Sequence, residues 1–182
     1  MSSPIFMNIV ETPEFRNALL RLSNFNTDDF DDSKLIRNAI RTPDGTVMES
    51  IHRHDYVTHK DANGEIYMVD GGRNYIRRSH NNEVATDLTV VLEDDYETVR
   101  SVYQWGTRGR FGDEPLSFVL LKDIDDDHLY ALIKLYERFD ADNLRLFMME
   151  AVYRSPLYQT GYNYVLVDSE YPEEVVMLFP CQ

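Results

Sequence analysis

The segment VTHKDANGEIYMVDGG, residues 57–72, constrains the fold more than any other part of the chain. Two runs rich in strand-forming residues flank Asp-Ala-Asn-Gly, and a glycine in the left-handed position suits a tight hairpin loop. With the turn at Asp61 to Gly64, Lys60 faces Glu65. The predicted register then runs back through His59 with Ile66, Thr58 with Tyr67, Val57 with Met68, Tyr56 with Val69 and Asp55 with Asp70. Strand alternation puts Val57, His59, Ile66 and Met68 on one face, and Tyr56, Thr58, Tyr67 and Val69 on the other. Gly71-Gly72 end the second strand, and NYIRRS and DLTVVL read as further extended pieces.

The flanks have a helical period instead. In TPEFRNALLRL, Thr12 can cap, Pro13 suits the first helical position, and Phe15, Ala18, Leu19 and Leu22 share one face. NFNTDDFDDS reads as a solvated loop, and SKLIRNAIR as a second, short helix with Leu35, Ile36, Ala39 and Ile40 on one side, stopped by the turn residues TPDG. Further on, DDYETVRSVYQW reads as a capped helix, and WGTRGRFGDEP as a flexible surface loop ahead of a strand at LSFVLLK. DIDDDHLYALIKLYERF carries a stripe of Leu129, Leu132, Ile133 and Tyr136, and DADNLRLFMMEAVYR one of Leu144, Phe147, Met148, Ala151 and Val152. Aspartates ahead of both stripes favour helix starts by capping and through the helix dipole. YNYVLVD reads as a last strand.

At 182 residues with 43% hydrophobic content, the chain can bury one core. The expected fold is therefore a single compact α+β domain with a central antiparallel sheet and helices packed around it. Its expected parts are an N-terminal helical part (1–43), a middle (44–133) and a C-terminal helix and strand (134–182).

Charge narrows the partners. Eighteen Lys and Arg against 32 Asp and Glu leave a formal charge of −14, which argues against nucleic-acid binding through the acidic surface and favours a partner protein with a basic surface. Residues 34–78 carry 8 basic and 6 acidic groups, whereas residues 79–182 carry 8 and 20. The N-terminus lacks a basic region followed by an apolar run, and no stretch approaches the roughly 20 apolar residues that cross a bilayer, so neither export nor a membrane is expected. The single cysteine, Cys181, fits a reducing cytosol.

Catalytic signatures are absent from the sequence. His52, His54, Asp55, His59 and Asp61 are metal-ligand types, but the predicted register splits the histidines between two faces, so no metal or other cofactor is expected. No nucleophile elbow is present, and GTRGRFGD lacks the Gly-Lys-Ser/Thr ending of a phosphate loop. No catalytic residue is assigned. The remaining candidate is a ligand-binding set of His52, Arg53, His54, Tyr56, Arg73, Tyr75, Arg77 and Arg78, because arginine forks onto phosphate or carboxylate and tyrosine adds a stacking ring with a hydroxyl donor. These types suit a small anionic ligand such as a nucleotide, or an acidic patch on a partner. The same cations can instead neutralise the chain's own carboxylates.

DGTVMESIHRHDYVTHKDANGEIYMVDGGRNYIRRS and WGTRGRFGDEPLSFVLLKDIDDDHLYALI together resemble a family of small uncharacterised proteins encoded by tailed bacteriophages, over roughly residues 44–133. The resemblance lies in the run of His52, His54, Asp55, Tyr56, Asp61, Gly64, Asp70, Gly71 and Gly72. It implies an acidic accessory protein of the infected host cytoplasm that binds and modulates a host component, in counter-defence or host takeover, without being an enzyme. Binding of a small anionic ligand ranks second, and a metal-dependent hydrolase third.

Overall fold

The computed structural model describes residues 9–23, 31, 33–79, 85–109 and 111–155, with the backbone of two short strands at 164–166 and 175–177. Most of the NFNTDDFDDS loop, and Cys181, lie outside the described residues. The chain has an α+β fold with antiparallel strand pairing throughout the described sheets. Its backbone divides into two units, one of residues 32–120 and one of residues 1–31 with 121–182.

The middle unit is built on β1 (Leu35–Arg41), the segment that the sequence reads as a second helix. Its apolar residues fit a helical stripe, but Ile36, Asn38 and Ile40 alternate, and all three are buried on one strand face. A seven-residue segment gains little as an isolated helix, so long-range pairing decides its conformation. β1 pairs with β2 (Val47–Ser50) on one side, and with β6 (Thr86–Asp87) and β7 (Val90–Val91) on the other. The expected strand DLTVVL is thus split in two. Asp87 Oδ1 accepts the Thr89 N–H at 2.8 Å and bends the chain between the halves.

A second sheet follows the order β3 (Val57–Lys60), β4 (Ile66–Asp70), β5 (Arg77–Ser79). The hairpin at DANG forms, but its register differs by one residue from the expected one: Val57 faces Val69, Thr58 faces Met68, His59 faces Tyr67 and Lys60 faces Ile66. The cause is a shorter loop. Asp61 N–H bonds Glu65 O at 3.0 Å, so the pair 61/65 closes a three-residue loop ending at Gly64, whose φ is 88°. Asp61 Oδ1 holds it by accepting from the N–H groups of Asn63 and Glu65, each at 2.9 Å. A one-residue slip exchanges the faces of a strand. Tyr67 and Val69 therefore point inward with Val57 and join Ile40 and Met48 in the core, while Ile66 is exposed.

The unit continues with α2 (Tyr96–Val102), capped as expected by Asp95, whose side chain accepts the Thr98 N–H. The segment expected to be a flexible loop before a strand forms a hairpin instead: β8 (Gln104–Thr107) pairs with β9 (Ser117–Leu120).

The helical unit contains α1 (Pro13–Ser23), α3 (Asp126–Lys134) and α4 (Ala141–Arg154), with β10 (Tyr164–Leu166) pairing β11 (Val175–Met177). The expected stripes are buried: Phe15, Ala18, Leu19 and Leu22 on α1, Leu129, Leu132 and Ile133 on α3, and the five named residues of α4. The side chain of Tyr136 lies outside the described residues. Asp125 and Asp140 cap α3 and α4 by accepting the N–H groups of His128 and Asn143. α4 is buried beyond its stripe, with Arg145 and Glu150 inside as well. No helix among the described residues is long and apolar enough to cross a membrane.

One exposed contact of the middle unit predicts its acid response. Asp44, in the β1–β2 turn, accepts the Thr42 hydroxyl and the Thr46 N–H through Oδ1, and its Oδ2 lies 2.8 Å from His59 Nε2 on β3. These bonds, the Thr42 one foremost, hold its carboxyl well below the usual carboxylate range. A depressed carboxyl stabilises the fold above its unfolded value of about 3.9 and loses that contribution as pH falls through the folded value. Asp44→Asn should therefore flatten the fall in stability below about pH 4, as read from urea midpoints across pH.

Candidate functional site

Two loops carry six of the eight residues in the expected ligand-binding set, and Arg77 and Arg78 follow in β5. The first, residues 51–56, joins β2 to β3; the second, residues 71–76, joins β4 to β5 and runs directly into Arg77. Ser50, fully buried at the end of β2, joins the two. Its hydroxyl donates to Asp55 O at 2.6 Å and accepts the Gly72 N–H at 2.8 Å.

The first loop is a turn with Asp55 N–H on His52 O at 2.9 Å, and it is locked where Asp55 Oδ2 accepts the Ile51 N–H at 2.8 Å. The second depends on its two glycines. Gly71 has φ 101° and Gly72 has φ 54°, backbone conformations that cost a side-chain-bearing residue energy. Space is the second requirement: a Cβ on Gly72 would sit 2.4 Å from the carbonyl carbon of His52, and one on Gly71 would sit 2.2 Å from Tyr75 O. The double glycine therefore lets one loop's backbone lie against the other's.

Asn38 holds the second loop through β1. Completely buried, it donates through Nδ2 to Asp70 O at 2.9 Å and to Tyr75 O at 3.3 Å. Its Oδ1 accepts from Arg78 Nε at 3.0 Å and Nη2 at 2.8 Å, so both its donor hydrogens and its acceptor are occupied. Arg78 also reaches Asp87 Oδ1 and Thr89 Oγ1, each at 2.8 Å. Burial opposes the Asp87 charge, but the bonds from Thr89 and Arg78 outweigh it and hold this carboxyl below its ordinary value.

The expected set thus divides. His52, Arg53, His54, Tyr56, Tyr75 and Arg77 are exposed on the paired loops and the strand that follows them. Tyr75 donates its hydroxyl to Asp70 Oδ2 at 3.3 Å, and Arg77 lies 3.7 Å from the same oxygen with its side chain 67% exposed. Arg73 is half-buried, its guanidinium 4.5 Å from the ring centroid of Tyr103. Arg78 turns inward, its side chain only 11% exposed, and belongs to the scaffold. His52 and His54 lie in a turn rather than on a strand, and His59 is engaged with Asp44. Among the described residues no three or more His, Cys, Asp or Glu side chains are grouped to hold a metal.

Sequence reasoning missed Ser50 and Asn38. The Gly-Gly pair signals a close backbone approach, and a lone asparagine between Ile36 and Ile40 signals a buried polar contact once the segment is read as a strand. A cleft of about 10 Å³ beside the loops, lined by Glu49, Ser50, Arg73 and Gln104 among others, has room for roughly one water molecule. Glu49 is engaged there by Arg37 at 3.0 Å and by Gln104 at 3.1 Å. The side chains of His52, Arg53, His54, Tyr56 and Tyr75 stand exposed on the surface beside this cleft. Compared with known proteins, the chain matches no family model, no curated protein and no solved structure.

Removing the asparagine tests this construction. Asn38→Ala should cost about 2 kcal/mol or more, because a truncated buried side chain leaves the carbonyls of Asp70 and Tyr75 short of a donor. Amide exchange measured by NMR should rise in residues 71–76 first. An unchanged midpoint would mean that Asn38 does not hold the loop.

Proposed function

We propose that this chain is a non-enzymatic binding protein, encoded by a tailed phage, that acts in the host cytoplasm by gripping a host protein through the paired loops and modulating it. The observation that carries the reading is the composition of an exposed surface on a rigid support. Tyr56 on the first loop is 61% exposed, Tyr75 and Ile76 on the second are exposed as well, and Arg53 and Arg77 add cations. Tyrosine and arginine are enriched among the residues that dominate binding energy, and loops already fixed by Ser50, Asn38 and Gly72 lose little entropy on docking.

Long-range charge supports a partner that is basic overall, with a carboxylate-bearing patch where Arg53 and Arg77 dock. The helical unit has 7 basic and 17 acidic residues, the middle unit 11 and 15, so the acidity is concentrated in the helical sequence. Such a charge steers a basic partner and speeds encounter at low salt. An anionic small ligand is the second reading, favoured by the arginines; the water-sized cleft means that it would lie on the open loop surface. A metal-dependent hydrolase has least support.

The test is capture from host lysate with wild-type protein and with a Tyr56→Ala, Arg77→Ala variant, followed by mass spectrometry of proteins and of small molecules released on denaturation. The reading expects one reproducible protein partner, weaker capture at high salt, and a loss of about tenfold or more in affinity in the variant. A released nucleotide without a protein partner would favour the second reading. Phosphoester hydrolysis by purified protein with neither would overturn both.

A further inference from the structure

Three times in the sequence an aspartate or asparagine precedes a glycine, at Asp44-Gly45, Asn63-Gly64 and Asp70-Gly71. Such a pair is chemically vulnerable, because glycine has no side chain to shield its backbone nitrogen from the side-chain carbonyl carbon of the residue before it. Attack by that nitrogen closes a succinimide ring. The structure separates the three pairs by what holds each side chain.

Asp44 would have to lose water from a neutral carboxyl, and its contacts with Thr42, Thr46 and His59 keep it ionised. Asp70 is buried, accepts the Tyr75 hydroxyl and lies near Arg77, and the space over Gly71 is filled by Tyr75. Asn63 has none of this protection. It is exposed at the tip of the β3–β4 hairpin, and its neutral side-chain amide has no hydrogen-bond partner among the described residues. A Cβ on Gly64 would meet only the end of Lys60, at 3.8 Å. One restraint remains: the Gly64 N–H donates to Asp61 O at 3.0 Å. Ala62, Asn63 and Gly64 are all exposed, so that bond opens locally without disturbing the core.

We propose that Asn63 is a site of spontaneous deamidation, and that the isoaspartate formed there unlocks the turn that sets the register of β3 and β4. The Gly64 nitrogen gives up its proton to solvent as it bonds to Asn63 Cγ; the bond from Cγ to Nδ2 breaks, and the amide leaves as ammonia. Water then adds to one of the two ring carbonyls. Opening on the Cγ side leaves aspartate, whereas opening on the main-chain side leaves isoaspartate, whose backbone runs through the side-chain carbons and is one atom longer. Asp61 Oδ1 clasps the N–H groups of Asn63 and Glu65, each at 2.9 Å, and a longer chain between those two residues pulls Glu65 off it. The new carboxylate also joins Asp61 and Glu65 in the same short turn, and like charges repel. The inference does not rest on the paired loops, which flank the other ends of these strands. It holds or fails separately from them.

Trypsin supplies the measurement. Cleavage after Lys60 and Arg73 releases residues 61–73, in which Asn63 is the only amide side chain, while Asn38 and Asn74 fall in the fragments 38–41 and 74–77. Asn38 is buried, and Asn74 is exposed but followed by a tyrosine, so the two serve as internal controls. The folded full chain is held in warm neutral buffer and digested at intervals, and mass spectrometry follows the replacement of NH2 by OH in each fragment. Fragment 61–73 should convert at least about tenfold faster than either control, a factor that needs only about 1.4 kcal/mol of easier access. It should yield isoaspartate beside aspartate, resolved against synthetic peptides. The separated isoaspartate form should exchange its amides faster in residues 57–60 and 66–70 than Asn63→Asp, which gains the same charge on a normal backbone. Conversion at Asn63 no faster than at Asn74, or conversion to aspartate alone, would overturn the assignment of the site. Equal exchange in the isoaspartate form and in Asn63→Asp would overturn the effect on the turn.

Discussion

Gly72→Ala is expected to destabilise the folded chain by about 3 kcal/mol or more, with the damage centred on the paired loops. Two costs add. Alanine at φ 54° is strained, and its Cβ would lie 2.4 to 2.7 Å from the C, Cα and N atoms of His52, which are backbone and cannot swing aside as a side-chain end can. Relief requires one loop to move away from the other, which lengthens the 2.8 Å bond from Gly72 N–H to Ser50 and weakens the pin between them. Gly64→Ala is the informative control. It shares the positive φ, at 88°, but a Cβ there meets nothing closer than the end of Lys60 at 3.8 Å, so it should cost only the backbone strain of about 1 kcal/mol. Urea unfolding of both variants measures the difference. Equal losses would mean that the loops are not held in close backbone contact.

The second large effect lies in the helical unit. Arg154 donates through Nε to the fully buried Glu150 at 2.7 Å, and through its two terminal nitrogens to Ile124 O at 2.6 Å, Asp126 Oδ1 at 2.9 Å, Leu121 O at 3.1 Å and Lys122 O at 3.2 Å. One guanidinium therefore joins the end of α4 to the turn that leads into α3. Replacing it by leucine takes the facing cation from a buried carboxylate and the donor from three carbonyls, and should cost about 3 to 5 kcal/mol, the range for breaking a buried ion pair from one side. Arg154→Lys keeps the charge without the planar fork and should recover only part of the loss. Full recovery by lysine would show that charge alone matters there. A loss within about 0.5 kcal/mol for Arg154→Leu, the level of an ordinary surface change, would contradict the role given to this side chain.

The helices were legible because their physics is local. Leu129, Leu132 and Ile133 repeat at helical spacing behind Asp125, and Leu144, Phe147 and Met148 behind Asp140, so stripe and cap point to the same start. β1 was misread because Leu35, Ile36, Ala39 and Ile40 satisfy both periods over a short span, and the partners that decide between them are distant in sequence. The hairpin at DANG was recognised, but its register depended on whether Asp61 belongs to the loop or to its closing pair. That choice rests on the Asp61 bond to Glu65 and exchanged the faces of β4. In the 104–120 segment the glycines that suggested a flexible loop are what allow the tip to close, with Gly109 accommodating Glu114.

For the candidate site, residue types were readable and their division of labour was not. Arg53, Arg77 and Arg78 look alike in sequence, yet Arg78 is turned inward onto Asn38, Asp87 and Thr89, while the others remain exposed. That distinction follows from β5 pairing, which places Arg78 opposite the buried Val69 and Arg77 opposite Asp70. Ser50 escaped notice for a related reason: its hydroxyl matters only because two loops separated by about twenty residues return to it.

The central claim, that the paired loops are a binding surface, is tested most directly by hydrogen exchange on the full chain with and without the partner captured from host lysate. The account predicts slowed exchange for backbone amides in residues 52–56 and 73–77 on binding, diminished when Tyr56 and Arg77 are replaced by alanine. Exchange in both loops that is unchanged by a saturating partner would contradict it.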